Sequence, residues 1–408
     1  MRVLFIADGS LSNPILQSQG IPHLLVNSEK GIKPYLMTFE NPLVLRDDSK
    51  QRERFEQAKK MLAGRITHVE IPVPFGEFRI IMNNSILRGL RFFLMIIVGI
   101  IETIGFVNKE RIEFLHCRSS FPTMIGVATK FFTNCKVIYD NRGIPGEEMK
   151  GRKFDPQSAV YNAVERSLLK HSNSVVVVSS PFKEYLITKY PGLNLSEKTK
   201  VIENGFSPER IKYSDSLRTQ RRKEEGLEER VVMTYSGTLS KWQMFEEICD
   251  AFLLLKKNEP KAFFLILSPD SAEVEKTVLS RNISNDDFRI FNITNNQLGE
   301  YLILGDFGTL FRRSLLLNRV AAPIKFAEYL GAGLPVLLTR GIGDTEEMCK
   351  NGQFGVVIDP SGEEMEKSLK EIVTLAGLPG IHKRCSEYAL SSLSVDSAAA
   401  KYLSIYFS

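Results

Sequence analysis

A lysine and a glutamate stand three residues apart, Lys325 and Glu328, in a segment whose pattern predicts a short helix over residues 324–330. Pro323 occupies a favoured first-turn position, and two glycines end the helix before an apolar strand. Residues three apart share one helix face. The N–H groups and positive dipole end of such a helix suit a diphosphate, so the lysine could meet a phosphate and the glutamate could accept hydrogen bonds from a ribose diol. The alternative is a surface ion pair worth under about 1 kcal/mol.

Two arginines, Arg312 and Arg313, follow the strand candidate 307–311 in the same half of the chain. Chemistry that releases a diphosphate must stabilise its negative charge, either with a metal ion or with Lys and Arg side chains beside a helix N-terminus. The sequence has no Asp-x-Asp motif and no His/Asp/Glu cluster with ligand spacing, so it predicts a site without a metal and without a cofactor. For either arginine, the alternative is an ordinary solvated charge.

In the first half, a buried strand candidate ends at Asp140 and leads into a loop that contains Arg142. Active-site groups of α/β sheets lie at the carboxyl ends of strands, so both side chains are candidates for chemistry. The alternative is an Asp140 that caps the loop and an Arg142 paired with Glu147 or Glu148. A turn through Gly9 follows the first strand, but it lacks the G-x-G-x-x-G pattern and gives no support for nicotinamide dinucleotide binding.

These residues are positioned by an alternation of strands and helices in each half of the chain. In the first half, strand candidates separated by helices at 121–132 and 157–170 predict right-handed βαβ units and a parallel sheet. The strand candidates are 2–7, 35–39, 69–73, 113–116, 136–140 and 174–179. The last of them, SVVVVS, is a β-branched run typical of a strand buried on both faces.

The second half repeats the alternation. Its strand candidates are 231–236, 262–268, 307–311 and 335–339, and its helix candidates are 245–257, 296–304, 324–330 and a segment starting near Asp344. Between the halves, residues 204–230 combine turn signals with a dense run of charges, which we interpret as a linker with a solvated face. We therefore expect an α/β protein of two Rossmann-like domains, 1–205 and 206–393, facing a central cleft where such sheets bind ligands. A helix at 394–408 is expected to pack back on the first domain.

Five segments resemble, in order and spacing, motifs of the retaining family-4 glycosyltransferases, which belong to the glycosyl transferases group 1 and have the GT-B fold. They are KTKVIENGF at 198–206, YSGTLSKW at 235–242, GDFGTLFRR at 305–313, PIKFAEYLGAGLPVLLT at 323–339 and GIGDTEEMCKNGQFGVVID at 341–359. The resemblance covers most of the second half and is looser over the first. Its motifs are specific as a set, although none would suffice alone.

The resemblance implies an N-terminal acceptor-side domain and a C-terminal donor domain. The implied enzyme, of hexosyltransferase type, transfers a sugar from a nucleotide-sugar donor to a glycan or lipid-linked acceptor, with retention and without a metal, in surface polysaccharide or glycolipid synthesis. The implied donor-binding residues are Gly9, Gly237, Lys241, Arg312, Arg313, Lys325, Glu328 and Asp344. Asp140 and Arg142 are implied as catalytic residues that orient the acceptor or steady charge.

Three positions depart from the motifs of the family. The family often has two glutamates eight residues apart; Glu328 matches the second, but Val320 stands in place of the first. Thr238 replaces the usual arginine after the loop glycine, and the usual lysine further on is displaced, with Lys241 as the nearby candidate. Arg312 and Arg313, which follow the strand candidate 307–311, are expected to compensate as phosphate-binding cations.

Two other functions stay open at this point. A sugar-nucleotide epimerase would share the fold class and need no separate acceptor. A non-catalytic GT-B protein that binds a nucleotide, a partner or a membrane is the other alternative, and the departures at Val320 and Thr238 motivate it.

Composition narrows the partners and the compartment. The 408 residues carry a net charge of +5, which is too mild to indicate nucleic acid binding. Five cysteines, odd in number and widely spaced, argue against a zinc site or a disulfide framework and favour a reducing cytoplasm. The N-terminal apolar run is short and lacks the flanks of a signal peptide.

The most apolar stretch of the chain is 90–107. Only ten uncharged residues separate Arg91 from Glu102, and about 20 are needed to span a bilayer, so we favour a buried helix of the first domain. The alternative is an interfacial helix with Arg88 and Arg91 near lipid phosphates. In that case the protein would bind peripherally to the cytoplasmic face of a membrane.

Overall fold

The computed structural model describes residues 1–73, 85–144, 156–359 and 364–408. These residues form two compact units. Unit 1 comprises Met1–Glu203 and Ala398–Ser408, and unit 2 comprises Asn204–Ser397. Glu147 and Glu148, which the sequence offers as partners for Arg142, lie outside the described residues.

Unit 1 is built on a seven-stranded sheet in which every pair of neighbouring strands is parallel. The strand order is β3-β2-β1-β4-β5-β6-β7. The strands are β1 Arg2–Ile6, β2 Lys33–Glu40, β3 Thr67–Pro72, β4 Phe114–Arg118, β5 Lys136–Asp140, β6 Ser174–Val177 and β7 Thr199–Val201. The order reverses direction between β1 and β4, which makes their carboxyl ends the topological switch point where sheets of this kind bind ligands.

Helices connect the strands of unit 1. They are α1 Ile21–Ser28, α2 Pro42–Asp47, α3 Ser49–Leu62, α4 Ser85–Glu110, α5 Ser120–Lys130, α6 Pro156–His171, α7 Ser180–Lys189 and α8 Leu195–Lys198. Strands such as β6 are buried because helices cover the sheet, and their β-branched side chains fit that setting.

Unit 2 contains a second parallel sheet, of six strands in the order β10-β9-β8-β11-β12-β13. The strands are β8 Val231–Ser236, β9 Ala262–Leu267, β10 Phe288–Phe291, β11 Phe307–Leu310, β12 Val336–Thr339 and β13 Gly355–Ile358. The helices are α9 Asp215–Glu224, α10 Phe245–Asn258, α11 Ser271–Ser280, α12 Leu298–Leu302, α13 Leu316–Arg319, α14 Ile324–Gly331, α15 Thr345–Gly352, α16 Glu364–Ala376 and α17 Ile381–Ser392. The predicted α/β class with two parallel-sheet halves is confirmed.

The last helix, α18 Val395–Tyr406, contributes its final turns to the core of unit 1. Tyr402 and Tyr406 are each about 1% exposed and pack in a cluster with Phe114, Ile138 and Val176 from the central strands. Their hydroxyl groups therefore need buried partners: Tyr402 contacts Asp140 at the carboxyl end of β5, and Tyr406 contacts His116 in β4.

The segment that follows unit 1 was interpreted as a linker with a solvated face, and that interpretation was wrong for Arg222. Residues 215–224 form α9, and Arg222 is only 5% exposed. Its guanidinium donates to the carbonyl oxygens of Leu227 and Arg230, both at 2.7 Å, and pairs with Asp306 at 3.2 Å. The five donors of an arginine can thus be satisfied inside the protein, which makes the burial of this charge tolerable.

The expectation that 90–107 forms a buried helix was also wrong. Residues 85–110 form α4, and its most apolar window, Gly89–Glu110, is only 17% buried although it is long and apolar enough to cross a membrane. One narrow face of α4 packs on α5, where a Cβ atom at Gly99 would stand 2.6 Å from the Ile125 Cδ1 atom. The opposite face exposes large apolar side chains by 37% to 62%; they are Leu90, Phe93, Ile97 and Ile101. We call these four residues the α4 stripe.

Candidate functional site

Pro323 is the N-cap residue of helix α14 in unit 2, and no side chain caps this end of the helix. Phe326, Tyr329 and Leu330 anchor the helix in the core. The Tyr329 hydroxyl accepts a hydrogen bond from the Ser236 N–H at 2.8 Å and donates to the Thr309 carbonyl at 3.2 Å, so it ties α14 to β8 and β11. With this face buried, the same helix presents Lys325 and Glu328 at a partly buried surface.

The Lys325 side chain reaches the loop that follows β8. Its amine donates to the Oε1 atom of Gln243 and lies 5.4 Å from the centre of the Tyr235 ring. A Cβ atom at Gly237 would stand only 1.9 Å from the Lys325 Nζ atom, so this position requires glycine while the lysine keeps its place. The sequence predicts both Gly237 and Lys325 as donor-binding residues, and the structure brings them together.

Arg312 adds a second cation to this cluster. Its backbone N–H donates to the Thr339 Oγ1 atom at 2.9 Å, and its Nη1 atom donates to the Asn318 Oδ1 atom at 3.1 Å. Burial lowers the pKa of Arg312, and burial together with the nearby Arg312 lowers the pKa of Lys325 to about 7 against a smaller opposite effect of Glu328. Both cations have neutral side-chain hydrogen-bond partners, Asn318 for the arginine and Gln243 for the lysine. Their positive charges are therefore available to bind an anionic ligand.

Glu328 is partly buried, and no hydrogen bond or ion pair of its carboxylate is found among the described residues. Burial raises its pKa, opposed by Arg210 and then by Lys325. The surface ion pair with Lys325, the alternative left open by the sequence, is therefore not formed in the described part of the chain. Partly buried groups with shifted pKa values and open hydrogen-bonding capacity are typical of ligand sites. We call Gly237, Gln243, Arg312, Lys325 and Glu328 the Lys325 cluster.

The remaining donor-binding candidates are placed elsewhere. Lys241 and Arg313 line a different pocket of unit 2, where the Arg313 Nη2 atom lies 3.9 Å from the Glu247 Oε1 atom and the arginine side chain is 60% exposed. Asp344 immediately precedes α15. Gly9 lies in unit 1, in the turn after β1, with a φ of 106° that suits glycine.

The sequence analysis missed two side chains that shape the Lys325 cluster, Gln243 and Tyr329. Gln243 ends the short turn Lys241–Gln243 and is 8% exposed, whereas the neighbouring Lys241 points to solvent. A three-residue turn has no periodicity from which its inward-facing member could be read. Tyr329 resembles any core aromatic in the helix pattern, but Gly308 packs on its ring so closely that a Cβ atom there would meet it at 2.6 Å.

The candidate residues of unit 1, Asp140 and Arg142, belong to a largely buried network that joins the end of β5 to β4 and the last helix. The Asp140 carboxylate pairs with the Arg142 Nε atom at 2.7 Å, and its second oxygen accepts from the Arg142 Nη2 atom at 2.9 Å and the Tyr402 hydroxyl at 3.3 Å. The His116 Nε2 atom lies 3.3 Å from the same oxygen, and its Nδ1 atom lies 2.6 Å from the Tyr406 hydroxyl. We call these five residues the Asp140 network.

The charges of the Asp140 network compensate one another. Burial alone would raise the pKa of Asp140, but Arg142, then His116 and Arg118, outweigh it and hold that pKa well below its usual range. Burial lowers the pKa of His116, so its neutral ring can donate from Nε2 to Asp140 and accept at Nδ1 from Tyr406. The Asp140 side chain is 0% exposed and the Arg142 side chain 12%, so of the two only the arginine has surface to offer to another molecule.

Among the residues that the structure describes, no group of three or more His, Cys, Asp or Glu side chains could hold a metal ion. The five cysteines are all free and buried. Burial raises the pKa of Cys117, Cys249, Cys349 and Cys385 above the usual range, which makes their thiols poor nucleophiles.

Comparison with known proteins gives two family matches. Residues 218–391 match the family described as glycosyl transferases group 1, and residues 49–210 match Glycosyltransferase Family 4. No curated protein matches the chain.

Solved structures with a similar fold cover the whole chain. Sucrose-phosphate synthase from Thermosynechococcus elongatus is 13% identical, with a TM-score of 0.70 over 100% of this chain and 98% of that one. Anabaena HepE in complex with UDP is 15% identical, with a TM-score of 0.71 over 100% and 99%. WaaG, a glycosyltransferase involved in lipopolysaccharide biosynthesis, is 14% identical, with a TM-score of 0.64 over 99% of both chains.

Proposed function

The chain belongs to the group 1 glycosyltransferases with the GT-B fold, and from this premise we propose that it transfers a sugar from a nucleoside diphosphate sugar through the Lys325 cluster. The observation that carries the proposal is the combination of two partly buried cations with neutral partners and one carboxylate without a partner in the described part of unit 2. HepE is known in complexes with UDP and with UDP-glucose, so UDP is the first nucleotide to test.

The chemistry of transfer assigns a role to each group of the cluster. Rupture of the sugar–phosphate bond leaves negative charge on the diphosphate, and Lys325 and Arg312 are preorganised to stabilise it with the uncapped N-terminus of α14. Glu328 accepts hydrogen bonds from the two hydroxyl groups of the ribose. With two cations and a helix end at the phosphates, the reaction needs no metal ion, and the resemblance of the sequence motifs to retaining enzymes supports retention at the sugar carbon.

Arg142 is the residue of unit 1 that fits the role of orienting the acceptor. Asp140 has no exposed surface, so it acts as a positioning residue that fixes the guanidinium rather than as a group that touches substrate. The Arg142 Nη2 atom donates to one carboxylate oxygen and the Nε atom forms an ion pair with the other, and these two contacts hold the planar guanidinium in one orientation.

The acceptor is proposed to be lipid-linked and reached at the cytoplasmic face of a membrane, in the synthesis of a surface polysaccharide or glycolipid. The α4 stripe supports this, because monomeric soluble proteins rarely expose a row of large apolar side chains along one helix. Arg91 follows Leu90, the first residue of the α4 stripe, near the N-terminal end of the helix. A basic residue beside an apolar helix face suits an interfacial helix on anionic lipid.

The central test measures binding and products with the full chain. A thermal-shift panel of UDP, GDP, ADP and CMP sugars should raise the melting temperature with one of them, since a ligand that binds the folded state stabilises it. Incubation of that donor with a lipid-phosphate or glycan acceptor should then yield a glycosylated product and free nucleotide. Isomerised donor in the absence of acceptor would indicate an epimerase, and binding without turnover across all acceptors would indicate a non-catalytic protein; either outcome overturns the proposal.

Membrane contact has its own test. Wild-type protein should sediment with anionic vesicles at low salt, and a variant carrying Ile97→Ser and Ile101→Ser should stay in the supernatant. Leu279→Ser, at a comparably exposed leucine of unit 2, is the matched control and should sediment like the wild type. Wild-type protein that remains soluble in the presence of vesicles would refute the membrane proposal without affecting the assignment of the donor site.

A further inference from the structure

Gln243 is bonded at both ends of its amide. Its Oε1 atom accepts from the Lys325 amine and lies 3.2 Å from the Tyr235 hydroxyl, while its Nε2 atom donates to the Thr238 Oγ1 atom at 2.9 Å. The orientation of the amide is fixed, because a rotation by 180° would point its N–H groups at the ammonium of Lys325. Tyr235 is in turn held by a hydrogen bond of 2.6 Å to the Thr238 carbonyl.

We propose that Gln243 is a positioning residue of the donor site, which holds the Lys325 ammonium over Gly237 with a neutral acceptor and so keeps its charge available for the diphosphate. The inference rests on the proposed function. A carboxylate in this place would neutralise the lysine, whereas an amide oxygen uses only one of its three donors and leaves two for phosphate oxygens.

Two physical arguments support the role of this contact. A free lysine side chain samples many rotamers, so holding it in place before the ligand arrives lowers the entropic cost of binding. The missing side chain at Gly237 also leaves room for the amine, because a Cβ atom there would stand 1.9 Å from the Lys325 Nζ atom.

The charged and titratable groups around Lys325 are few. Arg312 faces it from the end of β11, Glu328 lies on its own helix, and Tyr235 presents its ring from β8. Burial raises the pKa of Tyr235 far above neutrality, so the tyrosine stays uncharged. Among the described residues, Gln243 is thus the one group that forms a hydrogen bond with the amine. Changing it should directly alter the position and protonation of the lysine.

The experiment compares Gln243→Met, which keeps the shape but removes the acceptor, with Gln243→Glu, which keeps the acceptor and adds a charge. UDP is the probe, and its affinity is measured by calorimetry between about pH 6 and pH 9. Gln243→Met should weaken UDP binding about tenfold near neutral pH, in line with the loss of one charge-assisted hydrogen bond. Gln220→Met, at a glutamine bonded to Glu224 on the surface of α9, is the matched control and should bind like the wild type.

Gln243→Glu tests the role through the pH profile of UDP affinity, which would not shift if Gln243 were only structural. A carboxylate beside Lys325 should shift the pH at which UDP affinity falls upward by at least about one unit, because it favours the charged amine. Wild-type affinity in Gln243→Met, or an unshifted pH profile in Gln243→Glu, would overturn the inference while leaving the proposed function intact. Failure of the wild type to bind any nucleotide of the panel would instead remove the proposed function, and the inference with it.

Discussion

The Asp140 network and the Lys325 cluster both lie at carboxyl ends of parallel strands, yet they treat their charges in opposite ways. In the Asp140 network every charged group meets an opposite charge or a hydroxyl group inside the protein. In the Lys325 cluster the recorded partners of the two cations are neutral, and the Glu328 carboxylate has none among the described residues. Charges that are compensated inside the protein can be buried without a ligand, whereas partly buried charges without an opposite partner are available to bind one.

This contrast explains why position at a strand end is not enough to identify an active site. Asp140 satisfies the rule that functional groups follow strands, but its environment makes it a buried counter-ion. Lys325 meets the same rule through a helix, and burial together with the nearby Arg312 lowers its pKa to about 7. What distinguishes the two regions is whether their charged groups have oppositely charged partners, more than their position in the fold.

The largest effect is expected from Asp140→Asn. The substitution leaves Arg142 and Arg118 buried without their anion, which should lower the free energy of unfolding by about 3–5 kcal/mol at neutral pH. Urea denaturation measures this. Asp47→Asn is the matched control, since its pair with Arg46 is fully exposed and its loss should leave the urea midpoint unchanged.

The pH dependence of this difference has a definite sign. Because the pKa of Asp140 is lowered in the folded protein, its contribution is complete above the unfolded value of about 4 and is lost as the pH falls below it. The gap between wild type and Asp140→Asn should therefore narrow under acid conditions. A gap that stays constant down to about pH 2 would show that the carboxylate is not the source of the stability.

The next effect is expected in the Lys325 cluster and in binding rather than in folding. Glu328→Gln removes a charge-assisted acceptor from the ribose, so UDP should bind about 10–100-fold more weakly. Because burial raises the pKa of Glu328, its charge costs stability at neutral pH, and the free energy of unfolding should not decrease in the variant. Glu347→Gln, an exposed glutamate of α15, is the control. If Glu328 meets the ribose, the variant should also lose most of the preference for UDP over 2′-deoxy-UDP; a retained preference would place the ribose elsewhere.

Much of this arrangement could be predicted from sequence because it is encoded locally. The strands β5 and β8 were predicted at 136–140 and 231–236, where they are found, since continuous apolar runs mark buried strands. The strands β7, β10 and β13 were missed, and all three lie at the edges of their sheets. An edge strand packs on fewer neighbours and is short, so its sequence carries a weaker apolar signal.

Properties that depend on distant partners could not be predicted. Proline and glycine mark helix ends through their own backbone preferences, so the boundaries of α14 could be predicted. The inward orientation of Gln243 could not, because it depends on contacts with Tyr235 and Lys325. The burial of α4 was misjudged for the same reason. Its hydrophobicity is a property of its own residues, whereas the width of the face that it buries is set by α5.

A smaller effect of opposite sign is expected for Lys325→Met. The lowered pKa of Lys325 means that the folded protein holds a charged amine at a cost below about pH 7, and this cost is relieved as the pH rises towards the unfolded value of about 10.4. The variant should therefore be more stable than the wild type by about 1–2 kcal/mol at about pH 6, with a smaller gain at pH 9, while UDP binding is lost. A destabilised variant would assign the lysine to the fold rather than to a ligand.

The smallest effect is expected at Ser119, where the Asp140 network borders the switch point of unit 1. Ser119 has φ 72° and ψ 176°, a region that is essentially restricted to glycine, and its N–H donates to the Asp140 carbonyl at 2.8 Å. Ser119→Gly relieves this strain but adds freedom to the unfolded chain, so a net gain of about 0.5–1 kcal/mol is expected from urea denaturation. Ser120→Gly, at the next residue inside α5, should instead lose stability. If Ser119→Gly becomes more stable and transfers sugar at the wild-type rate, the strain serves only the packing of the Asp140 network; a stable variant with slower transfer would show that the compensated region also takes part in the reaction.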